Sequence, residues 1–393
     1  MLQLRLCAAA FTLLAWAAPS FAFCIAPRSV AGLRTMSTLR MSSEDWSDEQ
    51  VTRKQLLNKS VTTAIAAGGA WVFRRQVVVG AKALPHDMTG KNVIITGGNV
   101  GLGKEAAIAL VKMGASVVIG CRNEAKAQAA TEEIAAAAAA DGPTVGSVKA
   151  MTLDLSSTAL IKAFADQYSK KANGPLDVLM NNAGVMAIPE KRITSDGFEQ
   201  QLGINHIGHF YLTSLLLPLM KKSKDARVVN VSSEAHKILP KIRFNDPNWD
   251  EEYSQWGAYG QSKTANILFA RELQRRCDAA GLSMTSMSLH PGACRTNLGR
   301  YLFDPDAPVN PLLYPVIGVV LGLGVFFTKS ATEGAQTQIR CAVDPDLKSV
   351  GGGRYFVECE PATAAPETSD ETSAAKLWAL TEQLLGKKFE VKA

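Results

Sequence analysis

Two side chains in the segment AYGQSKTANILF, residues 258–269, have the types and the spacing needed for proton transfer. Tyr259 and Lys263 are four residues apart, so on a helix they lie on one face and can contact the same ligand. A free phenol has a pKa of about 10 and is a weak acid–base catalyst at neutral pH, but an adjacent ammonium group favours the phenolate and lowers that pKa. The pair therefore indicates acid–base chemistry at a substrate oxygen, although a YxxxK pattern alone also arises by chance.

A glycine-rich turn follows a β-rich run in NVIITGGNVGLGKEAA, residues 92–107. Gly97, Gly101 and Gly103 precede or open a predicted helix, where missing Cβ atoms let the backbone approach a pyrophosphate and helix N–H groups bind it. The strand before this turn and the helix after it favour a dinucleotide site over a glycine-rich turn without a ligand.

The end of the second predicted strand indicates which dinucleotide would bind. NAD-binding chains carry an acid about 20 residues beyond the turn, where its carboxylate holds the ribose 2′-hydroxyl. This chain reads VVIGCRN at residues 117–123 and has no carboxylate there. Arg122 offers a planar guanidinium suited to a 2′-phosphate, so we predict NADP(H) as the cofactor. The alternative is that Arg122 is simply a solvent-exposed arginine.

Alternating β-rich and helix-like segments must position these residues. The strand candidates are NVIIT, SVVIG, VKAMTL, LDVLM, RVVNVS and MTSMSLH, and the helix candidates are residues 101–114, 123–140, 157–171, 198–222 and 258–280. Such alternation implies right-handed βαβ crossovers. We predict an α/β fold, a single doubly wound parallel-sheet Rossmann domain with helices on both faces, which ends with a surface loop at 360–375 and a short helix at 375–386.

Composition argues against several other classes of protein. The formal net charge is +6. Four basic residues precede the first acidic residue, Glu44: Arg5, Arg28, Arg34 and Arg40. The rest of the chain is nearly neutral, so no nucleic-acid partner is expected. The seven cysteines are odd in number and never spaced as CxxC, which argues against a disulfide scaffold or a zinc knuckle.

The five histidines suggest no metal site. His206 and His209 are spaced i, i+3 like a pair of metal ligands, but no third ligand is evident. His236 and His290 are likewise interpreted as packing or hydrogen-bonding residues. We therefore predict no bound metal.

The N-terminal residues read as targeting sequence. Residues 1–22 have one basic residue, an apolar stretch too short to span a bilayer and small residues near the end, as in a cleavable signal peptide. Residues 23–50 begin with an Arg- and Ser-rich stretch without acids, as in an organelle transit peptide. Together they resemble the two-part plastid leader of algae with a red-algal plastid, so we expect a plastid protein, stromal or membrane-associated, with the endoplasmic reticulum as the alternative. Residues 51–90 are a linker or a membrane-associating segment.

From about residue 90 to 300 the sequence resembles the short-chain dehydrogenase/reductase family, and more narrowly its retinol-dehydrogenase-like branch. The resemblance is carried, in family order, by TGGNVGLGKE, CRN, LDLSS, NNAGVM, DGFEQQLGINHIGHFYLT, RVVNVSSEAH, YGQSKTANILFARELQRR and HPG. The tail segments GGGRYF and AAKLWALTEQLLG are also similar. We therefore expect one such domain over residues 91–393.

The resemblance implies a catalytic role for four residues. Tyr259 would donate and accept the proton at the substrate oxygen. Lys263 would hold the nicotinamide ribose and lower the pKa of Tyr259. Ser233 would hydrogen-bond the substrate carbonyl, and Asn205 would support the water of a proton relay.

The resemblance also implies a set of cofactor contacts. Asp154 would meet the adenine, Asn182 and Gly184 would border the cofactor, and Thr296 would reach its carboxamide. The predicted cofactor-binding residues are Gly97, Asn99, Gly101, Leu102, Gly103, Arg122, Asp154, Leu155, Asn182, Ala183, Gly184, Tyr259, Lys263, Pro291, Gly292 and Thr296.

An uncharged stretch at 312–327, LLYPVIGVVLGLGVFF, points to an apolar substrate. It is too short and too interrupted to span a bilayer, and it is either a core helix or part of an apolar lid around 301–328. The family resemblance favours the lid, hence a hydrophobic carbonyl or alcohol such as retinal, an apocarotenoid or a fatty aldehyde, with peripheral membrane contact.

Two further functions remain open at the level of sequence. HFYLT, VDPDLKSVGGGRYF and the C-terminal helix resemble light-dependent protochlorophyllide reductase, although NNAG, YGQSK and a modest insertion before the tyrosine depart from that enzyme. YGQSK and LHPGACRTNL also resemble the dehydrogenase-like, NADPH-sensing subunit of the chloroplast envelope translocon. The oligomeric state is not predicted.

Overall fold

The computed structural model describes residues 74–140, 142, 145–239, 241–296, 298 and 328–392. The chain divides into two compact units, Met1–Val78 with Val309–Phe327, and Val79–Pro308 with Thr328–Ala393. The first unit is described only over 74–78, where a π-helical turn, Arg74–Val79, begins. The predicted signal and transit segments, most of 51–90 and, apart from Thr328, the predicted lid lie outside the described residues.

One sheet forms the centre of the second unit. Its strands are β1 Asn92–Thr96, β2 Ser116–Cys121, β3 Ser147–Thr152, β4 Val178–Asn181, β5 Ala226–Val231, β6 Met284–His290, β7 Tyr355–Val357 and β8 Glu360–Ala362. Their order is β3-β2-β1-β4-β5-β6-β7-β8, and every neighbouring pair is parallel except β7 with β8. The predicted α/β doubly wound sheet is confirmed.

Helices cover both faces of this sheet. They are α1 Gly101–Lys112, α2 Glu124–Ala139, α3 Thr158–Lys171, α4 Gln200–Leu202, α5 Gly208–Met220, α6 Gln255–Ala279, α7 Ala331–Gly334, α8 Gln336–Val343, α9 Leu347–Val350 and α10 Glu371–Leu385. One hydrophobic core joins α1, α2 and α8 to the sheet, and a second joins α3, α5, α6 and α10 to the opposite face.

Strand β1 shows why the sheet is buried on both sides. Val93 and Ile95 belong to the first core and Ile94 to the second, and none is more than 1% exposed. Successive residues of a strand point to opposite faces, so a run of apolar residues without polar alternation requires a covering layer on each side. Full burial of each such side chain contributes about 1.5–3 kcal/mol.

The strand order reverses between β1 and β4, because the chain continues outward from β1 to β2 and β3 on one side and from β4 to β5 on the other. At such a switch point the loops leave in opposite directions and open a crevice at the carboxyl ends of the strands. The segments that follow β1, β4, β5 and β6 therefore meet at one edge of the sheet. That edge holds most of the predicted site residues.

The structure corrects three local predictions. The predicted helix 198–222 is divided by a π-helical turn, Gly203–Ile207, between α4 and α5. Strands β7 and β8 were not predicted, because three-residue strands are too short to show a pattern. The final helix begins at Glu371, where the Asp370 side chain caps its first N–H groups. The predicted loop at 360–375 therefore also contains strand β8 and the first turn of this helix.

Candidate active site

Tyr259 and Lys263 lie in the first half of α6, which begins after Ser254. The Ser254 hydroxyl accepts a hydrogen bond from Gly257 N at 3.1 Å and caps the helix. Tyr259 is 2% exposed and Lys263 is 3% exposed. Lys263 Nζ lies 5.6 Å from the centroid of the Tyr259 ring, so the helical spacing brings the two groups together as predicted.

Burial, rather than the neighbouring charge, sets the acidity of the two groups. Burial raises the pKa of Tyr259 to about 12, and a hydrogen bond with the Ser233 side chain opposes part of that rise. Burial lowers the pKa of Lys263 to about 8. The expectation that Lys263 holds the pKa of Tyr259 below its usual value is therefore not met, because losing water disfavours both charged forms. The phenol is protonated at neutral pH.

The ammonium group of Lys263 is held by the end of β5. Lys263 Nζ donates to the carbonyl oxygen of Val231 at 3.1 Å, and Asn266 Nδ2 donates to the same oxygen at 3.1 Å. Ser232 Oγ in turn donates to the carbonyl of Lys263 at 2.7 Å. Helix α6 is thus fixed to the carboxyl end of β5 on both sides of the lysine.

Ser233 follows β5 and begins a 3₁₀-helical turn, Glu234–Lys237. Its side chain accepts from Ala235 N at 3.2 Å, as a capping serine does, while it also bonds to Tyr259. The Ser233 carbonyl binds Nδ1 of His236 at 2.7 Å, and Nε2 of that ring accepts from Ala365 N at 3.0 Å. A segment near the C-terminus therefore supports the backbone of the serine.

Asn205 lies in the π-helical turn and is fully buried. Its side chain accepts from Val185 N and donates to the Val185 carbonyl, both at 2.9 Å. Asn205 Nδ2 also lies 2.9 Å from Ser262 Oγ, whose hydroxyl donates to the Tyr259 carbonyl. Asn205 is thereby tied to the segment after β4 and to the helix that carries the tyrosine.

Gly184 lies where these groups converge. A Cβ atom added there would lie 3.2 Å from Asn205 Oδ1 and 3.5 Å from Lys263 Nζ. A side chain at this position would therefore lie against both the amide and the ammonium group. The Asn205 side chain would have to shift slightly to admit it, whereas the distance to Lys263 is an ordinary contact.

Asn182 and Ala183 hold the two central strands together. Asn182 Nδ2 donates to the Thr96 carbonyl at 2.8 Å and to the Gly97 carbonyl at 3.3 Å. The backbone N–H groups of Asn182 and Ala183 both donate to Thr96 Oγ1 at 2.9 Å. These bonds fix the entry of the glycine-rich turn, so Asn182 acts on the cofactor site through Thr96 and Gly97.

The glycine-rich turn fits a pyrophosphate. Gly97 and Gly101 have φ angles of +65° and +57°, which favour glycine. A Cβ at Gly103 would lie 2.5 Å from the Gly97 carbonyl oxygen, so helix α1 can pack this closely against the turn only because residue 103 is glycine. Val100 precedes α1 and makes no side-chain cap, which leaves the first N–H groups of the helix for an anion.

Other predicted cofactor residues surround this turn. Arg122 directly follows β2 and is exposed. Asp154 Oδ1 accepts from Ser156 N at 2.9 Å and from Ser156 Oγ at 2.7 Å. A Cβ at Gly101 would lie 3.4 Å from the Thr296 side chain, which places Thr296 beside the turn.

The remaining members of the predicted set occupy less direct positions. Asn99 lies within the turn, and the carbonyl of Leu102 accepts from Gln338 Nε2 at 3.0 Å. Leu155 is a core residue, 6% exposed, whose carbonyl oxygen would lie 2.6 Å from a Cβ at Gly208. Pro291 and Gly292 follow β6, and Gly292 packs against Lys329, which pairs with Glu358 at 2.6 Å.

Three residues at the site were missed or undervalued by sequence reasoning. Thr96 provides the hydroxyl described above, and the ring of His209 binds it. Trp256 is half-buried, with its ring edge-on to Tyr259 at a centroid distance of 6.3 Å. The spacing of Trp256 and Tyr259, three residues on one helix, was a signal that could have identified the tryptophan.

No group of three or more histidine, cysteine, aspartate or glutamate side chains is arranged to hold a metal ion in the part of the chain that the structure describes. No helix within the same residues has both the length and the apolar character needed to cross a membrane.

The chain is similar in sequence to known proteins. The short chain dehydrogenase family model matches residues 91–307. Retinol dehydrogenase 14 of mouse is 42% identical over 77% of this chain and 88% of its own, and human retinol dehydrogenase 12 is 41% identical over 77% and 89%.

Two solved structures extend the comparison. An uncharacterized protein of Mycobacterium paratuberculosis has a TM-score of 0.60 and 34% identity over 79% of this chain and 99% of its own. The NADP active-site complex of RhlG from Pseudomonas aeruginosa has a TM-score of 0.52 and 25% identity over 70% and 96%. The fold, the buried tyrosine–lysine pair beside a glycine-rich turn and these similarities together identify the chain as a member of the short-chain dehydrogenase family, whose enzymes are nicotinamide-dependent oxidoreductases.

Proposed function

We propose that this protein is an NADP(H)-dependent oxidoreductase that reduces a hydrophobic carbonyl compound of the retinal, apocarotenoid or fatty-aldehyde type. The observation that carries the proposal is the burial of the Tyr259 phenol beside Ser233 and one helical turn from Lys263, which raises its pKa to about 12. A group that holds its proton at neutral pH is ready to give it to an oxygen that gains negative charge during reduction.

When bound, a nicotinamide cofactor would supply a hydride to the carbonyl carbon. The residues of this chain handle the oxygen. The Ser233 hydroxyl donates a hydrogen bond to it, and Tyr259 transfers its phenolic proton to it as the carbonyl becomes an alcohol. Lys263 binds the nicotinamide ribose and stabilises the phenolate left behind, and Asn205 supports the path by which solvent returns a proton to Tyr259.

NADP(H) is proposed over NAD(H) because of the charge at the end of β2. Arg122 is exposed there, and the next residue, Asn123, caps α2 by accepting from Lys126 N at 2.8 Å. A guanidinium binds a phosphate through two parallel hydrogen bonds, whereas a chain that binds the 2′-hydroxyl needs a carboxylate. The NADP complex of a relative supports the same choice.

The substrate class is proposed from the apolar surroundings and from the relatives. Trp256 presents a half-buried aromatic edge beside the Tyr259 ring. Several of the relatives are retinol dehydrogenases, which are named for a long apolar alcohol. A polyene or alkyl chain would pack against the indole, and its transfer out of water would cost no free energy.

The test is steady-state reduction of a panel of aldehydes, from short polar ones to retinal, with NADPH and with NADH. We expect kcat/KM to rise with substrate hydrophobicity and NADPH to be preferred by at least about tenfold. The Arg122→Leu variant should lose that preference. Lys171→Leu is the matched control, since Lys171 is an exposed cation at the carboxyl-terminal end of α3. Absence of turnover with every aldehyde would refute the proposed carbonyl reduction. An unchanged preference for NADPH in Arg122→Leu would refute the proposed role of Arg122 in cofactor choice.

We also propose a plastid location with peripheral membrane contact, supported by the composition of residues 1–50. Residues 1–50 fused to a fluorescent protein should direct it to the plastid, and removal of residues 1–22 should leave the fusion in the cytosol. Retention of the intact fusion in the endoplasmic reticulum would contradict the proposal.

A further inference from the structure

The buried ring of His209 joins the nucleotide-binding turn to Asn205. His209 is 2% exposed at the beginning of α5. Its Nδ1 lies 2.9 Å from the Asn205 carbonyl oxygen, and its Nε2 lies 2.8 Å from Thr96 Oγ1. Thr96 is the last residue of β1, directly before Gly97. One imidazole therefore spans the distance between the two halves of the site.

The partners of Thr96 determine which ring nitrogen carries the hydrogen. Its oxygen has two lone pairs, and the N–H groups of Asn182 and Ala183 occupy them at 2.9 Å. The hydroxyl hydrogen has two candidate acceptors, Met180 O at 3.4 Å and His209 Nε2 at 2.8 Å, and the shorter contact is the stronger bond. Nε2 is therefore an acceptor, and Nδ1–H donates to the Asn205 carbonyl.

The surroundings keep this ring neutral. Burial lowers the pKa of His209 to about 4, the bond to Asn205 opposes that change, and the positive charge of Lys263 adds to it. A second hydrogen on Nε2 would also point at a hydroxyl oxygen whose lone pairs are already used. The imidazole is thus locked in one tautomer across the neutral pH range.

The hydrogen bond from His209 helps to orient the Asn205 carbonyl. At the end of the π-helical turn, Gly208 N donates to the Gly203 carbonyl. The Asn205 carbonyl, in the same turn, is bound by the imidazole side chain of His209. A carbonyl oxygen has two acceptor sites, so a donor fixed on one of them orients the other. The Asn205 side chain is held by Val185 and Ser262, and the His209 ring adds a side-chain donor to the main-chain oxygen.

We propose that His209 is a positioning residue: its neutral imidazole, anchored on the Thr96 hydroxyl, fixes the π-helical turn that carries Asn205, the residue proposed to support the return of a proton to Tyr259. This inference rests on the proposed reductase function. It predicts that the two hydrogen bonds of the ring affect turnover more than they affect nucleotide affinity, because the glycine-rich turn is also held by Asn182.

Three substitutions separate the two bonds. His209→Leu removes both. His209→Asn places an amide N–H near the position of Nδ1 but does not reach Thr96, and His209→Gln places its amide near the position of Nε2. We expect kcat to fall about tenfold to a hundredfold in His209→Leu and to be recovered only in part in His209→Asn and in His209→Gln, each of which keeps one of the two bonds. The KM for aldehyde and the Kd for NADPH, measured by fluorescence, should stay within about threefold.

His206 provides the matched control. It is 1% exposed, lies in the same π-helical turn, and bonds through Nε2 to Thr381 Oγ1 at 3.0 Å, on α10 and away from the tyrosine. His206→Leu should lower thermal stability as much as His209→Leu does while leaving kcat within about twofold. Equal loss of kcat in both variants would show a general effect of core damage and overturn the proposal.

A second measurement does not depend on turnover. With only five histidines in the chain, ¹⁵N-histidine labelling resolves each ring, and the variants assign His209. We expect the Nδ1–H tautomer for His209 at neutral pH, and an Nε2–H ring or an imidazolium would overturn the proposal. A wild-type protein inactive on every aldehyde would defeat the proposed function, whereas an active wild type with unchanged kcat in His209→Leu would defeat this inference alone.

Discussion

Replacement of Lys263 by methionine should abolish turnover and yet make the protein more stable. Lys263 is 3% exposed, and among the residues that the structure describes its ammonium group is bonded to a carbonyl oxygen and not to a carboxylate, so the folded chain bears the cost of a charge removed from water. Methionine has a similar unbranched length and no charge. The Val231 carbonyl does not lose its last donor, because Asn266 Nδ2 also binds it at 3.1 Å.

The size of the effect follows from the acidity of the lysine. Burial moves its pKa from the usual 10.5 to about 8. One pKa unit corresponds to about 1.4 kcal/mol, so below pH 8 the buried ammonium group costs about 3 kcal/mol of folding free energy. The folded pKa is below the unfolded one, so the unfolded chain binds more protons between these values. The cost therefore disappears as the pH rises from about 8 through 10.5.

The assay is urea denaturation of wild type and Lys263→Met at several pH values, without nucleotide. The difference in unfolding free energy should be about 2–3 kcal/mol in favour of the variant at pH 7 and should approach zero above pH 10.5. Lys171→Met, at an exposed site, should show no such pH-dependent difference. A Lys263→Met protein that is equally stable or less stable at pH 7 would refute the reasoning.

Three further predictions concern catalysis and binding. Tyr259→Phe should lower kcat by about a thousandfold and leave the NADPH Kd within about twofold, since only the hydroxyl is lost; retained turnover would exclude Tyr259 as the proton donor. Gly103→Ala should weaken NADPH binding by at least about tenfold in a fluorescence titration, because its Cβ would lie 2.5 Å from the Gly97 carbonyl oxygen. Trp256→Ala should raise KM for retinal by about tenfold while KM for a short aldehyde stays within about twofold; a parallel rise for both would rule out a packing role.

Sequence alone predicted that Tyr259 and Lys263 lie close together, but not their acidity. The four-residue spacing of Tyr259 and Lys263 is a local property, and a helix converts it into contact. The pKa of each group depends on how much water surrounds it, which the spacing does not reveal. For this reason the raised pKa of Tyr259 could not be predicted from the sequence, whereas the position of the phenol could.

Sequence also identified the fold where elements are long and periodic. Strands β1 to β6 and most of the helices of the sheet region were predicted, because their apolar runs and spacing are distinctive. Strands β7 and β8 are too short for that signal. The role of His209 was missed for a different reason: its partner Thr96 is 113 residues away in the chain, and nothing in the local pattern links them.

The histidine bridge between Ser233 and Ala365 has a consequence for biosynthesis. The N–H that His236 accepts belongs to a residue translated after every strand of the sheet. The serine therefore gains this part of its backbone support only after Ala365 has been synthesised. A chain that ends before Ala365 should lose the hydrogen bond that fixes the His236 ring and, through it, the Ser233 carbonyl.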